Sequence, residues 1–154
     1  MQHILPQSTA IMEGSFALYE ERLFNYRIFP TNRMTFFLCN SPKSKIDKGS
    51  LIIQRIHIGP FVIESAVCVT EIFETETPTL KRSGFRYVTT TGHPEKGFCD
   101  FFISLDKKTG ILSFVIEAYS KSSSSFGFVF GPMARFFQKK FTNEAVSYFC
   151  SVIN

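Results

Sequence analysis

Tryptophan is missing from this chain, and histidine, cysteine and long apolar runs are scarce. Each shortage excludes a class of protein. No stretch of roughly 18 consecutive apolar residues occurs, so no helix is expected to cross a membrane. His3, His57 and His93 show neither HxxxH nor HxH spacing, and Cys39, Cys68, Cys99 and Cys150 form no CxxC pair. Neither a metal centre nor a disulfide framework is therefore expected. No secretory pattern of basic start, apolar run and small-residue cleavage site is visible, and the thiols are expected to be reduced, in the cytoplasm. The GxSxG elbow, the GxxxxGKS phosphate loop and a GxGxxG turn after a strand are all missing, which removes the usual signatures of nucleophilic hydrolysis, nucleotide hydrolysis and dinucleotide chemistry. No cofactor is expected.

What is present is apolar and aromatic. Of the 154 residues, 44% are hydrophobic, and the aromatics are 19 phenylalanines against 5 tyrosines. A chain of this length buries about 68–70% of its unfolded surface, enough for one core without covalent staples, so a single domain over residues 1–154 is expected. The net charge of +4 is modest and dispersed. Lys43, Lys45 and Lys48 fall in one loop, Lys81-Arg82 and Lys107-Lys108 elsewhere, and Arg135 with Lys139-Lys140 near the end. Such a distribution makes solvated surface rather than a phosphate track. Phenylalanines set among apolar neighbours make core rather than a stacking platform, and nucleic acid is not an expected partner.

Periodicity divides the chain into two helices around a set of strands. Phe16, Leu18, Tyr19, Leu23 and Tyr26 recur at helical spacing behind Ser15 as N-cap, predicting a helix over 15–26 that Pro30 stops. Segments 51–58, 61–73, 85–91, 98–105 and 111–119 are rich in β-branched and aromatic residues, and they predict strands paired antiparallel in chain order. Gly59-Pro60 and the stretch Asp106 to Gly110 read as hairpin connections. Leu112, Phe114, Ile116 and Ala118 fall on one strand face, as do Cys99, Phe101, Ile103 and Leu105 on the preceding strand. The other face is expected to be wet, with Glu117 pairing to Arg86. From Pro132, an apolar stripe of Met133, Phe137, Phe141, Ala145, Tyr148 or Phe149, and Val152 predicts a helix of about 22 residues covering the sheet.

One stretch has no packing explanation. Residues 84–97 read GFRYVTTTGHPEKG, an alternating strand that runs into Gly92-His93-Pro94-Glu95. The stretch resembles the GFxYGTLxGHPExGEExF signature of the DUF1990 family, also called UPF0548, whose function is uncharacterised. Phe16 to Phe29 resembles the family's first helix and aromatic corner, and Lys48 to Leu51 its strand entry. Ile116 to Ser120 resembles its IxAFS strand end, and Gly131-Pro132 through Lys140 its closing helix. The chain departs from the pattern at Val88, where the family usually has Gly, at Phe98-Cys99, which replace a Glu-Glu pair, and in lacking a Trp after the first helix. The resemblance implies an α+β fold of the helix-grip type, START or Bet v 1-like. In it a curved antiparallel sheet grips a long C-terminal helix, beside a short N-terminal helix.

That fold would place a cavity between helix and sheet, and the candidate site residues follow from it. Tyr87 and Thr89 share a strand face with Phe85 and Thr91 and would present hydroxyls. His93 and Glu95 would orient a ligand or, as an alternative, transfer a proton in an enzyme; equally, they would hydrogen-bond the turn. Residues 120–131, SKSSSSFGFVFG, form either a linker or a lid whose Phe128 meets the ligand, with Phe137 on the helix stripe. Cys99 reads as a buried small hydrophobe rather than a nucleophile. The expected function is non-enzymatic binding of a small apolar or amphipathic ligand; the alternatives are a helix-grip enzyme using His93 and Glu95, or a protein-interaction scaffold.

Overall fold

The apolar alternation that begins at residue 51 becomes a meander of long strands. The computed structural model describes residues 3–4, 8–12, 14–41, 44–91, 95–122 and 127–151, and the side chains at 11–12, 14–41, 44–91, 96–119 and 139–151. In chain order the elements are β1 (His3–Ile4), β2 (Ser8–Met12), α1 (Phe16–Phe24), β3 (Met34–Cys39), β4 (Leu51–Ile58), β5 (Phe61–Glu76), β6 (Leu80–Thr89), β7 (Glu95–Asp106), β8 (Leu112–Ser122) and α2 (Gly127–Ser151). All pairings are antiparallel, from β3 at one edge through β4, β5, β6 and β7 to β8, along whose outer side β1 and β2 lie.

Strand β4 keeps its expected bounds and β5 and β7 outrun theirs, whereas β6 spans 80–89 rather than 85–91 and β8 spans 112–122 rather than 111–119; β1, β2 and β3 are additional to those read from the sequence. In β3, Met34 is buried and Phe36 and Leu38 half-buried, while Thr35 and Phe37 are exposed, so a six-residue run of mostly apolar side chains still alternates. The hairpins after β4 and β7 fall where expected, each with its glycine at positive φ (Gly59 +55°, Gly110 +73°). Between Val69 and Glu71 the register with β6 slips by one residue, a bulge that leaves Thr70 extra. Parity inverts there, which lets Val67, Val69 and then Ile72 all reach the core side.

Helix α1 ends before Pro30 is reached. Tyr26 adopts φ +55°, with its N–H donating to the Leu23 carbonyl at 3.0 Å, and this left-handed turn stops the helix. Pro30 instead accepts from the N–H groups of Arg33 (2.9 Å) and Met34 (3.0 Å), which starts the chain into β3.

The core lies on the concave side, under α1 and α2. Phe85 stacks on Phe101 with centroids 5.4 Å apart, and Phe114 stacks on Phe149 of α2 at 4.0 Å. Ala145 and Phe149 are fully buried, as the stripe predicts, and Phe141 is half-buried. Two arginines tie α2 to the chain before β3. Arg33 grips Glu144 through Nε–Oε2 at 2.8 Å and Nη2–Oε1 at 3.1 Å, and Arg22 lies over the rings of Tyr148 and Phe149. Among the described residues no helix is long and apolar enough to cross a membrane.

Two expectations need correction. The outer face is not simply wet: Val115 is 4% exposed, Phe102 5% and Asp100 7%. Phe73 packs on Phe102, the Arg82 guanidinium sits 4.6 Å above that ring, and Arg86 covers Phe98 at 4.1 Å. Long flat side chains thus roof an apolar strip that alternation alone assigns to water. Arg86 pairs not with Glu117 but with Asp100 on the intervening β7, bidentate at 2.6 and 2.7 Å, because an adjacent strand is within reach and the next one is not. At the two ends of the segment 120–131, β8 continues to Ser122 and α2 begins at Gly127, and residues 123–126 lie outside the described residues.

Candidate functional site

The segment GFRYVT forms the second half of β6, and its odd-numbered residues face the core. Phe85, Tyr87 and Thr89 stand opposite Phe101, Cys99 and the vicinity of Gly97 on β7. Thr89 spends its hydroxyl on the backbone: Oγ1 accepts from the Gly97 N–H at 3.0 Å and lies 3.4 Å from its carbonyl oxygen. That side chain fastens β6 to β7 beside the turn. Thr90 fastens the other flank, its Oγ1 donating to the Ala66 carbonyl at 2.8 Å. Gly92, His93 and Pro94 lie outside the described residues, as do the side chains of Glu95, Phe128 and Phe137; the backbone of Glu95 opens β7, and those of Phe128 and Phe137 belong to α2.

Tyr87 is the sequence candidate that meets other polar groups. Its ring packs on Phe101, centroids 5.3 Å apart, and its hydroxyl neighbours Gln54, Tyr26 and Cys99 without a hydrogen bond to any of them. Gln54 is 2% exposed, donates from Nε2 to the Tyr26 hydroxyl at 2.6 Å, and accepts on Oε1 from Ser65 at 3.3 Å. Tyr26, held by its left-handed backbone, sits in an aromatic box, edge-on to Phe36 at 5.0 Å. The result is a polar island of two phenols, an amide, a hydroxyl and a thiol in an otherwise apolar face. Burial pushes Tyr26, Tyr87 and Cys99 above their ordinary values, so all three stay protonated at neutral pH. The island can donate and accept hydrogen bonds; it holds no group poised to take a proton.

A separate open groove of about 600 Å³ lies outside α1, between that helix, the β3–β4 loop and β5. Phe24, Ile46 and Ile72 line it together with Glu20, Glu21 and Glu74. Across it Lys45 and Glu21 approach to 4.0 Å, both well exposed, an ion pair of small energetic weight. Among the described residues no group of His, Cys, Asp or Glu is placed to hold a metal ion.

The profile of the family described as Domain of unknown function (DUF1990) matches residues 4–148. The chain belongs to that family. No curated protein matches it. Among solved structures it is similar to the ginseng major latex-like protein 151 from Panax ginseng, at 14% identity and TM-score 0.56 over 94% of this chain and 96% of that one. Norcoclaurine synthase from Thalictrum flavum, solved with dopamine and hydroxybenzaldehyde, is similar at 8% identity and TM-score 0.55 over 96% and 85%. A hypothetical protein, jhp0584 from Helicobacter pylori, is similar at 9% identity and TM-score 0.55 over 92% and 85%. At these identities the likeness is one of fold, and the fold is the Bet v 1-like helix-grip arrangement.

Within this DUF1990 domain, sequence reasoning missed Tyr26, Gln54 and Ser65. A signal existed for one of them. Ile52, Gln54, Ile56 and Ile58 share a strand face, and an amide in the middle of such a row is either solvated or hydrogen-bonded inside. Tyr26 and Ser65 carried no comparable signal, since only the fold brings them to Gln54 from 28 and 11 residues away.

Proposed function

We propose that this DUF1990 domain is a binding module that takes a small apolar or amphipathic molecule between the concave face of its sheet and α2. The observation that carries the reading is the buried island around Gln54. A hydrogen-bonding cluster inside an aromatic core costs stability unless fully satisfied, and a few convergent polar groups in an apolar surround are what orient a ligand. The neutrality of the island favours binding over proton transfer. Helix-grip relatives support the reading as analogy: the Thalictrum flavum enzyme of this fold was solved with two small aromatic molecules.

Native mass spectrometry of freshly purified protein, with extraction under denaturing conditions, tests it. The expected result is an adduct that the extract releases, or saturable uptake of the neutral fluorophore N-phenylnaphthylamine by protein stripped of adduct. Protein that carries nothing and takes up no probe overturns the reading.

A further inference from the structure

The outermost member of the island carries a hydroxyl with no hydrogen-bond partner among the described residues. Gln54 donates to the Tyr26 oxygen at 2.6 Å and receives Ser65 on its carbonyl at 3.3 Å, and neither bond involves Tyr87. The phenol of Tyr87 is thus a donor left over inside an apolar face. Tyr87 is also the one member that is not closed off: Tyr26 is 1% exposed, Gln54 2%, Cys99 7% and Ser65 8%, whereas Tyr87 is half-buried. Around it on β4, β5 and β6 the same face carries Ile52, Ile56, Val67, Phe85 and Thr89, none of them charged.

We infer that the ligand of this domain presents a neutral oxygen acceptor, as in a ketone, ether or alcohol, on an otherwise apolar body, and that Tyr87 donates the hydrogen bond that selects it. The inference rests on the binding reading above and adds the chemical class. A carboxylate or an ammonium entering this surround would give up its hydration and meet no counter-charge on the neighbouring strands. A pure hydrocarbon would cover the Tyr87 hydroxyl and give it no hydrogen-bond partner. Tyr87 is therefore a specificity-determining residue, its ring held against Phe101.

Four probes with one carbon chain and different heads decide the matter: octanol, octanone, octanoate and octylammonium, titrated calorimetrically at pH near neutral. Octanone and octanol are expected to bind about tenfold or more tightly than the two charged probes. Tyr87→Phe keeps the ring on Phe101 and should weaken octanone about five- to tenfold while leaving the charged probes unchanged. Ring-labelled tyrosine NMR provides a second readout in the unaltered protein, a shift of the Tyr87 resonance on adding octanone. Octanoate or octylammonium binding as well as octanone overturns the neutral class. An unchanged octanone affinity in a folded Tyr87→Phe protein, or a Tyr87 resonance that does not move, overturns the role of Tyr87. Failure of all four probes overturns the binding reading itself, and the class with it.

Discussion

Gly84 of β6 lies flat against Phe102 of β7, its direct register partner. A Cβ at position 84 would run into the Phe102 Cβ and the Phe101 carbonyl oxygen, and would stand 2.8 Å from the Phe102 Cα. The glycine that opens the GFRY segment is thus there to let an aromatic side chain cross the strand. Gly84→Ala should cost about 3 kcal/mol, the upper end for overpacking, because backbone atoms rather than a side-chain tip must move. The midpoint of a urea titration measures it, and an unchanged midpoint would refute the contact.

Phe149 is the largest fully buried side chain of α2 among the described ones, set between Phe114 and Tyr19. Phe149→Ala should therefore lower stability by about 3–5 kcal/mol. Arg22 covers the same ring from the solvent side and donates to the Tyr148 carbonyl at 3.4 Å. Arg22→Ala is expected to cost much less, about 1 kcal/mol. Chemical denaturation of the two variants gives the ratio; equal costs would place the anchor elsewhere on the helix.

Arg86 and Asp100 behave as a unit on the outer face. Replacing Arg86 by Leu strands a carboxylate that is 7% exposed and lies opposite Glu117 on β8, at a cost of about 2 kcal/mol, between the surface and buried limits. Replacing both by Leu should recover most of that loss. A double-mutant cycle measures the coupling, and additive costs would mean that the pair contributes only shape.

Alkaline pH should loosen the fold through the island. Burial raises Cys99, Tyr26 and Tyr87, so the folded chain keeps protons that the unfolded chain releases. Stability is full below the ordinary thiol and phenol values, about 8.5 and 10, and falls as pH rises past them toward the raised folded values. Cys99→Ala and Tyr87→Phe should each flatten that descent in melting curves taken across the alkaline range, and a descent identical to that of the parent would show that these groups do not drive it. In native protein Cys99 should also react with a thiol reagent far more slowly than Cys39 or Cys68, which are only half-buried.

Acid acts at the hairpins. Asp106 accepts from the N–H groups of Lys108 (2.8 Å) and Thr109 (3.2 Å), and these bonds hold its carboxyl below the ordinary value; Glu76 is lowered by its bond to Lys107. The stability they add is present above the ordinary carboxylate values and is lost as pH falls through the lowered ones. Asp106→Asn should lower the melting temperature near neutral pH and flatten the acid descent, converging on the parent as pH falls, and a curve identical to the parent's would mean the turn bonds are replaced by water.

Much of this architecture was legible along the chain. Period-two alternation set the core faces of β7 and β8, turn glycines located the hairpins, the helical stripe found Ala145 and Phe149, and the resemblance at 84–97 pointed to the family. These are local signals, since side-chain periodicity and backbone handedness act within a few residues. Tertiary structure alone decided the rest. The bulge between Val69 and Glu71 inverts which residues of β5 face inward, and no local pattern announces a register slip. The roof over Phe102 is made from neighbouring strands, so alternation along β7 could not show that the outer face is partly dry. The island around Gln54 joins Tyr26 at the end of α1, Ser65 on β5, Tyr87 on β6 and Cys99 on β7. A buried hydrogen-bond network forms wherever the fold brings donors and acceptors together, and its members carry no mark in sequence beyond one amide in an apolar row.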